Sequence, residues 1–266
     1  MTRLVSGVVL AAVFFVLIWF TNATVLLFVA LAVAALAVHE YVQLFRTLGA
    51  DMHMAPILVG TWAVLANVAL PQFALEGVLS ILLIVIAIWV MARVKPERDF
   101  SQAALGAAAG ILAPVYIGIG LGSLVAIHVW GGRGGVILLM ATIVVSDTAQ
   151  YYAGRTFGRH PLAPTLSPKK TIEGAIGGFV VGPAFLITSA YYLVPAATDQ
   201  LSLAVLAIAL VIAGIAGDLF ESTLKRAAGV KDSSSLIPGH GGVLDRIDAM
   251  LFAAPIFYLY LRWLFR

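Results

Sequence analysis

No cysteine occurs among the 266 residues, which excludes disulfides and thiolate-held metals and leaves the compartment open. Charge is scarce as well. Asp, Glu, Lys and Arg make up 11% of the chain, against about 25% in an ordinary soluble domain. The formal net charge of +3 is too small for a nucleic-acid surface, so no nucleic-acid partner is expected. The chain has no heptads, no low-complexity tail and no short-period repeat, and no loop is long enough for a separate soluble domain. What fills the space is apolar: 62% of residues are hydrophobic, where about 45–50% is usual.

That surplus lies in runs near the length of about 20 residues that crosses a bilayer. The runs fall at roughly 4–20, 24–45, 55–71, 76–93, 103–128, 134–154, 172–194, 200–220 and 247–264. They predict an all-α fold, a polytopic transmembrane helical bundle of about nine spans. Residues 1–266 read as a single integral membrane domain, with less specific helices over 1–130 and the catalytic helices and signature loop over 131–266. The first run reads as a span rather than a removed leader, being long and lacking an A-x-A site. Orientation follows from the basic residues. With the N-terminus inside, Arg3, Arg46, Arg93, Lys95, Arg98, Arg155, Arg159, Lys169, Lys170, Lys225, Arg226, Lys231 and Arg246 are cytoplasmic. Only Arg133, Arg262 and Arg266 are outside, which places all 16. Any active site is therefore expected at the cytoplasmic membrane face.

Three polar stretches interrupt the apolar chain. In "SDTAQYYAGRTFGR" (146–159), Asp147, Gln150, Tyr151 and Gly154 follow i, i+3, i+4, i+7 and share one helix face. An acid within a span is costly and faces a bundle interior or cavity, as a staple between helices or as a substrate or ion contact. In "SPKKTIEGAIGG" (167–178), Ser167-Pro168 suits a turn or a helix start, and Thr171 suits an N-cap. Lys169 and Lys170 then sit at the interface, as positive-inside flanks or phosphate contacts. Gly174, Gly177 and Gly178 suit close helix packing.

The third stretch is the densest. Asp218, Glu221, Ser222 and Lys225 again follow i, i+3, i+4, i+7, and the glycine-rich "PGHGG" and then "DRID" come next. Glycines there let backbone N–H groups approach an anion closely. Asp245 and Asp248 lie one turn apart, and Asp245 could equally cap the last helix. Carboxylates on two neighbouring helices, four basic residues (Lys225, Arg226, Lys231 and Arg246) and a glycine turn describe a polyphosphate–metal site. Mg²⁺ takes oxygen ligands, commonly carboxylates plus substrate phosphates. His240 is an acid–base group, a phosphate donor or a turn residue. Glu40, beside His39 at the end of the second run, is a fourth and weaker candidate.

Ser222, Lys225, Arg226, Lys231, Asp232, Ser234, Pro238, His240, Gly241, Gly242, Asp245, Arg246 and Asp248 together resemble the signature of the phosphatidate cytidylyltransferases, or CDP-diacylglycerol synthases. "SDT..Y..GR.FGR" and "LSPKKTIEG" resemble two further blocks of that family, so the likeness covers at least 146–248, with Gln150 where a small apolar residue is more usual. The resemblance implies synthesis of CDP-diacylglycerol and pyrophosphate from CTP and phosphatidic acid. It also implies a multi-pass protein of the cell (inner) membrane among membrane lipids, a homodimer, and Mg²⁺ at two cation sites. Their placement on two neighbouring helices, taken with that chemistry, makes Asp218 and Asp245 the first choices as metal ligands, with Asp248 and Glu221 next. Lys225, Arg226, Lys231, Asp232, His240 and Arg246 become the catalytic group. Ser222, Lys169, Lys170, Gly241, Gly242, Asp147 and Tyr151 become the substrate contacts. The alternatives are a cytidylyltransferase of another lipid phosphate and an ion-coupled transporter. The one-sided clustering of charge and the lack of an inverted repeat oppose the transporter.

Overall fold

A computed structural model of the protein describes residues 16, 19–20, 22–92, 100–197, 199–236 and 241–265. Most of the expected first span, together with Arg93, Lys95, Arg98, Pro238 and His240, lies outside the described residues. Helices α1 (Ala23–Thr47), α2 (Met54–Ala69), α3 (Leu75–Met91) and α4 (Phe100–Ala113) lead into a π-helical turn, Pro114–Gly118. Then come α5 (Ile119–Phe157), the hairpin β1 (Pro161–Ala163) and β2 (Ser167–Thr171), α6 (Ile172–Leu193), α7 (Gln200–Ala227) and α8 (Leu244–Leu264).

The protein is an all-α membrane protein. Among the described residues, 5 helical stretches are long and apolar enough to cross a bilayer, and α2 and α3 are shorter apolar helices. The longest stretch, Phe100–Phe157, has 58 residues. At about 1.5 Å per residue it far exceeds one crossing of a roughly 30 Å core. It is broken at Gly132, whose φ of 62° and ψ of −162° are not helical. That break falls between the runs 103–128 and 134–154, where the sequence predicts a loop.

The chain divides into two compact units, Met1–Ala126 with Leu224–Ile247, and Ile127–Thr223 with Asp248–Arg266. In the first, α1 is anchored at both ends. Asn22 caps it by accepting from the Val25 N–H at 3.0 Å. At the other end the Arg46 guanidinium donates twice to the Met52 carbonyl, at 3.2 and 2.9 Å, across the turn that Gly49 makes with a φ of 85°. Fully buried Tyr41 stacks on Phe45 and donates its hydroxyl to the Ala109 carbonyl at 3.1 Å. Pro114 has no N–H to continue the helical ladder, and the turn that follows closes i→i−5, Ile119 N–H to Pro114 O. Just beyond it, α5 rests on the α2 backbone. A Cβ at Gly122 would come within 2.7 Å of the Leu65 carbonyl oxygen.

In the second unit α6 packs on α5 through small residues. A Cβ at Gly178 would meet the Gln150 side chain at 2.6 Å, and one at Gly174 would meet the Gln150 carbonyl oxygen at 2.7 Å. This is the close approach expected of these glycines. Thr171 is the N-cap of α6, accepting from the Gly174 N–H at 3.1 Å. The preceding residues differ from expectation: Ser167-Pro168 forms neither a turn nor a helix start but opens β2, antiparallel to β1 with Pro161 opposite Thr171 and Ala163 opposite Ser167. Proline holds the residue before it extended, and an extended segment in reach of another pairs with it. Asp199 precedes α7 and accepts from the Ser202 N–H at 3.0 Å. That bond, then the Ser202 hydroxyl, holds its carboxyl below the usual carboxylate range.

Gly122→Val is expected to lower stability by about 1–3 kcal/mol through overpacking against the α2 backbone. Thermal unfolding of the purified protein in detergent would show it, and an unchanged midpoint would mean that α2 and α5 do not meet at this point.

Candidate functional site

The second unit holds a cluster of acids. Asp218 and Glu221 lie one turn apart on α7, and Asp248 is on α8. One carboxylate oxygen from each lies within 4.8 Å of the others. Gly217 makes the meeting possible, because a Cβ there would collide with the Asp248 carbonyl oxygen. Glu221 is 0% exposed and Asp248 9%. Asp248 also accepts from the Ala249 N–H at 2.7 Å. The Lys170 ammonium, carried by β2, is ion-paired with Asp218 Oδ2. The hairpin is closed by Glu173 in the first turn of α6. One of its oxygens accepts from the Arg159 and His160 N–H groups at 3.0 and 3.2 Å, and the other meets His160 Nδ1 at 2.6 Å. On α5, Gln150 Nε2 donates to Asp147 Oδ1 at 3.0 Å and Ser146 Oγ at 3.2 Å. Gln150, the departure from the resembled pattern, is thus what orients Asp147.

Such a donor set fits a divalent cation. All three groups offer carboxylate oxygens, which hard cations prefer, and they stand close enough to repel one another strongly while ionised. Residues that would hold such an ion are Asp218, Glu221 and Asp248.

The first unit holds a polar knot around the signature loop. Asp245, in the first turn of α8, accepts from the Lys225 ammonium through Oδ1 at 2.6 Å. Its Oδ2 accepts from Ser233 N–H at 2.9 Å, Ser233 Oγ at 2.7 Å and Gly242 N–H at 2.8 Å. Beside it is Glu40 of α1, which is 2% exposed. Glu40 Oε1 accepts from Ser234 Oγ at 2.6 Å and Val243 N–H at 2.9 Å. Its Oε2 accepts from Leu244 N–H at 2.8 Å and Ser233 Oγ at 3.0 Å. Gly242 must be glycine, because a Cβ would fall on Ser233 Oγ and Glu40. Gly241 has a φ of 77°, a conformation glycine adopts freely.

Several expected site residues are therefore gathered within one unit. Asp218, Glu221 and Asp248 meet. Asp245, expected to pair with Asp218 on a cation, has both oxygens engaged by Lys225, Ser233 and Gly242. Lys170 reaches Asp218, while Lys169 is exposed. Arg226, Lys231, Asp232 and Arg246 are exposed, and Ser222 is half-buried on α7. Tyr151 is exposed and accepts from Arg155 at 3.3 Å. His240 lies outside the described residues. What the sequence undervalued is Glu40. Its one signal is an acid near the end of an apolar run.

The sequence profile of the Cytidylyltransferase family matches residues 1–264, and the chain belongs to that family. It is 42% identical over 136 residues to the uncharacterized protein YnbB of Escherichia coli, covering 51% of this chain and 45% of that one. It is 39% identical over 171 residues to a phosphatidate cytidylyltransferase of Thermotoga maritima, covering 61% of this chain and 62% of that one. A phosphatidate cytidylyltransferase of Mycobacterium bovis is 32% identical over 237 residues, with 83% of this chain and 75% of that one covered. The matches to the first two span less than two thirds of each relative's length.

Asp245→Asn keeps an acceptor for the Ser233 and Gly242 N–H groups but removes the charge facing Lys225. A loss of about 1.5–3 kcal/mol in stability is expected, the size of a charged hydrogen bond. A melting temperature in detergent equal to that of the unaltered protein would show that Asp245 does not hold this loop.

Proposed function

We propose that the protein is a phosphatidate cytidylyltransferase, joining CTP and phosphatidic acid into CDP-diacylglycerol and pyrophosphate in phospholipid biosynthesis. The observation that carries the reading is the carboxylate trio of Asp218, Glu221 and Asp248 beside Lys170, within a chain whose family handles cytidylyl groups. The names of the relatives support the lipid substrate.

In this reading the trio would hold Mg²⁺. When bound, the cation would neutralise phosphate charge and polarise the phosphoryl oxygens. A phosphatidate oxygen attacks the α-phosphorus of CTP. The new O–P bond forms as the bond to the β-phosphate bridge breaks, and pyrophosphate departs with the electron pair. No base is required, since a phosphate monoester with a second pKa near 6 is largely dianionic at about pH 7. The chain's work is positioning and charge compensation. Lys225, Arg226, Lys231 and Arg246 take phosphate oxygens, and Lys170 is placed to exchange its carboxylate partner for substrate phosphate. The reading includes nine spans, a homodimer and an active site on the cytoplasmic side of the cell membrane, where CTP is available. The basic-residue bias supports the orientation.

Purified protein given labelled CTP, phosphatidate and Mg²⁺ is expected to yield labelled CDP-lipid on chromatography. Asp218→Asn and Asp248→Asn are each expected to lower turnover about a hundredfold or more, with melting temperatures near that of the unaltered protein. Near-normal synthesis by both would remove the trio from the reaction. Orientation has its own test, because the native chain lacks cysteine. A cysteine replacing Pro164 should react with an impermeant thiol reagent only from the cytoplasmic side, and one replacing Arg133 only from outside. The reverse pattern would turn the protein over in the membrane.

A further inference from the structure

The signature loop is held by a residue from far outside the signature. The first N–H groups of α8 need acceptors, and helices ordinarily find them in a Ser, Thr, Asp or Asn at the N-cap. Gly242 and Val243 carry no such oxygen. The acceptor is Glu40, 203 positions before Val243. Its two oxygens take the Val243 and Leu244 N–H groups and the hydroxyls of Ser233 and Ser234. Charge also favours the arrangement, because the N-terminus of a helix attracts an anion. Ser233 then extends the reach of Glu40. Its single hydroxyl proton lies between Glu40 Oε2 at 3.0 Å and Asp245 Oδ2 at 2.7 Å, and Asp245 in turn grips Lys225. Glu40, Ser233, Asp245 and Lys225 form one continuous chain of contacts.

We infer that Glu40 is the positioning residue of the signature loop: its carboxylate sets the arrangement in which Lys225 and its basic neighbours are presented to substrate phosphate. The inference rests on the proposed cytidylyl transfer for its kinetic consequence, though not for its structural one. Glutamine cannot replace Glu40. Either way the amide is turned, its NH₂ faces one backbone N–H, that of Val243 or that of Leu244, and a backbone donor cannot rotate away as a serine hydroxyl can. The loop then spends more time in other arrangements. Apparent substrate affinity falls by the fraction of molecules in the competent one. Loss of a charge-assisted hydrogen bond sets that fraction at roughly one tenth to one hundredth.

The test compares Glu40→Gln with the unaltered full-length protein in detergent, by hydrogen exchange and by kinetics with both substrates titrated. The expected result is exchange at the Val243 and Leu244 amides at least about tenfold faster, with the middle of α1 unchanged. KM for CTP or for phosphatidate should rise about tenfold or more, while kcat at saturation stays within about threefold. A purely structural role would reduce the amount of active protein and lower apparent kcat with both KM values unmoved; that result overturns the inference, as does unchanged exchange. If the unaltered protein makes no CDP-lipid, the proposed reaction fails, and exchange alone decides whether Glu40 orders the loop. If Glu40→Gln does not fold, Ser234→Ala removes one donor from Oε1. It should shift KM and exchange in the same direction by about threefold, and no shift overturns the inference.

Discussion

A carboxylate taken out of water costs several kcal/mol unless donors or a positive charge meet it, and in this chain that requirement decides which elements touch. Helices packed in lipid gain little from apolar contact, because lipid tails are as apolar as their own side chains. Register has to come from elsewhere. Glu40 fastens the end of α1 to the first turn of α8. Lys170 fastens the hairpin to Asp218 on α7, and nearer the surface Glu173 fastens the foot of α6 to the segment that follows α5. Each contact is directional, so each fixes an orientation that apolar packing would leave loose.

Small residues bring the polar groups near enough for those contacts to form. Gly217 lets the α8 backbone come against α7 at Asp248, and Gly242 leaves the volume that Ser233 and Glu40 fill. Gly174 and Gly178 let α6 settle on Gln150, whose amide steadies Asp147. Where side chains are short, backbones approach; where backbones approach, short polar side chains reach across.

The sequence made much of this legible. Runs of apolar residues located α1, α2, α3, α6 and α8 to within a few residues, since span length is set by the bilayer rather than by tertiary detail; α7 continues seven residues past its run, to Ala227, and the run 103–128 takes in α4, the π-helical turn and the start of α5. Helical spacing put Asp218 and Glu221 on one face, while Asp248, which completes the cluster, ranked behind Asp245 in the sequence. Three things could not be read. The hairpin at 161–171 is too short to show alternation, and it carries three prolines, Pro161, Pro164 and Pro168, that by themselves suggest turns. The π-helical turn depends on how Pro114 resolves its missing N–H. Glu40 was visible only as an isolated acid, because no periodic pattern links positions about two hundred residues apart.

Asp245 and Asp248 show why residue type and spacing alone did not assign the cation site. They are one turn apart on α8 and chemically identical, yet their surroundings differ. Asp245 faces an ammonium, a hydroxyl and two N–H groups. Its charge is already compensated, and a cation would have to displace those donors. Asp248 faces Asp218 and Glu221 within 4.8 Å. At an effective dielectric near 20, each ionised pair at that distance repels by roughly 3 kcal/mol. Lys170 offsets part of that repulsion at Asp218, and a divalent cation held by the three acids would offset more of it, whereas at Asp245 it would have to displace donors already in place. The grouping of carboxylates that suits a cation is therefore Asp218, Glu221 and Asp248, while the Asp245 carboxylate is held by Lys225, Ser233 and Gly242.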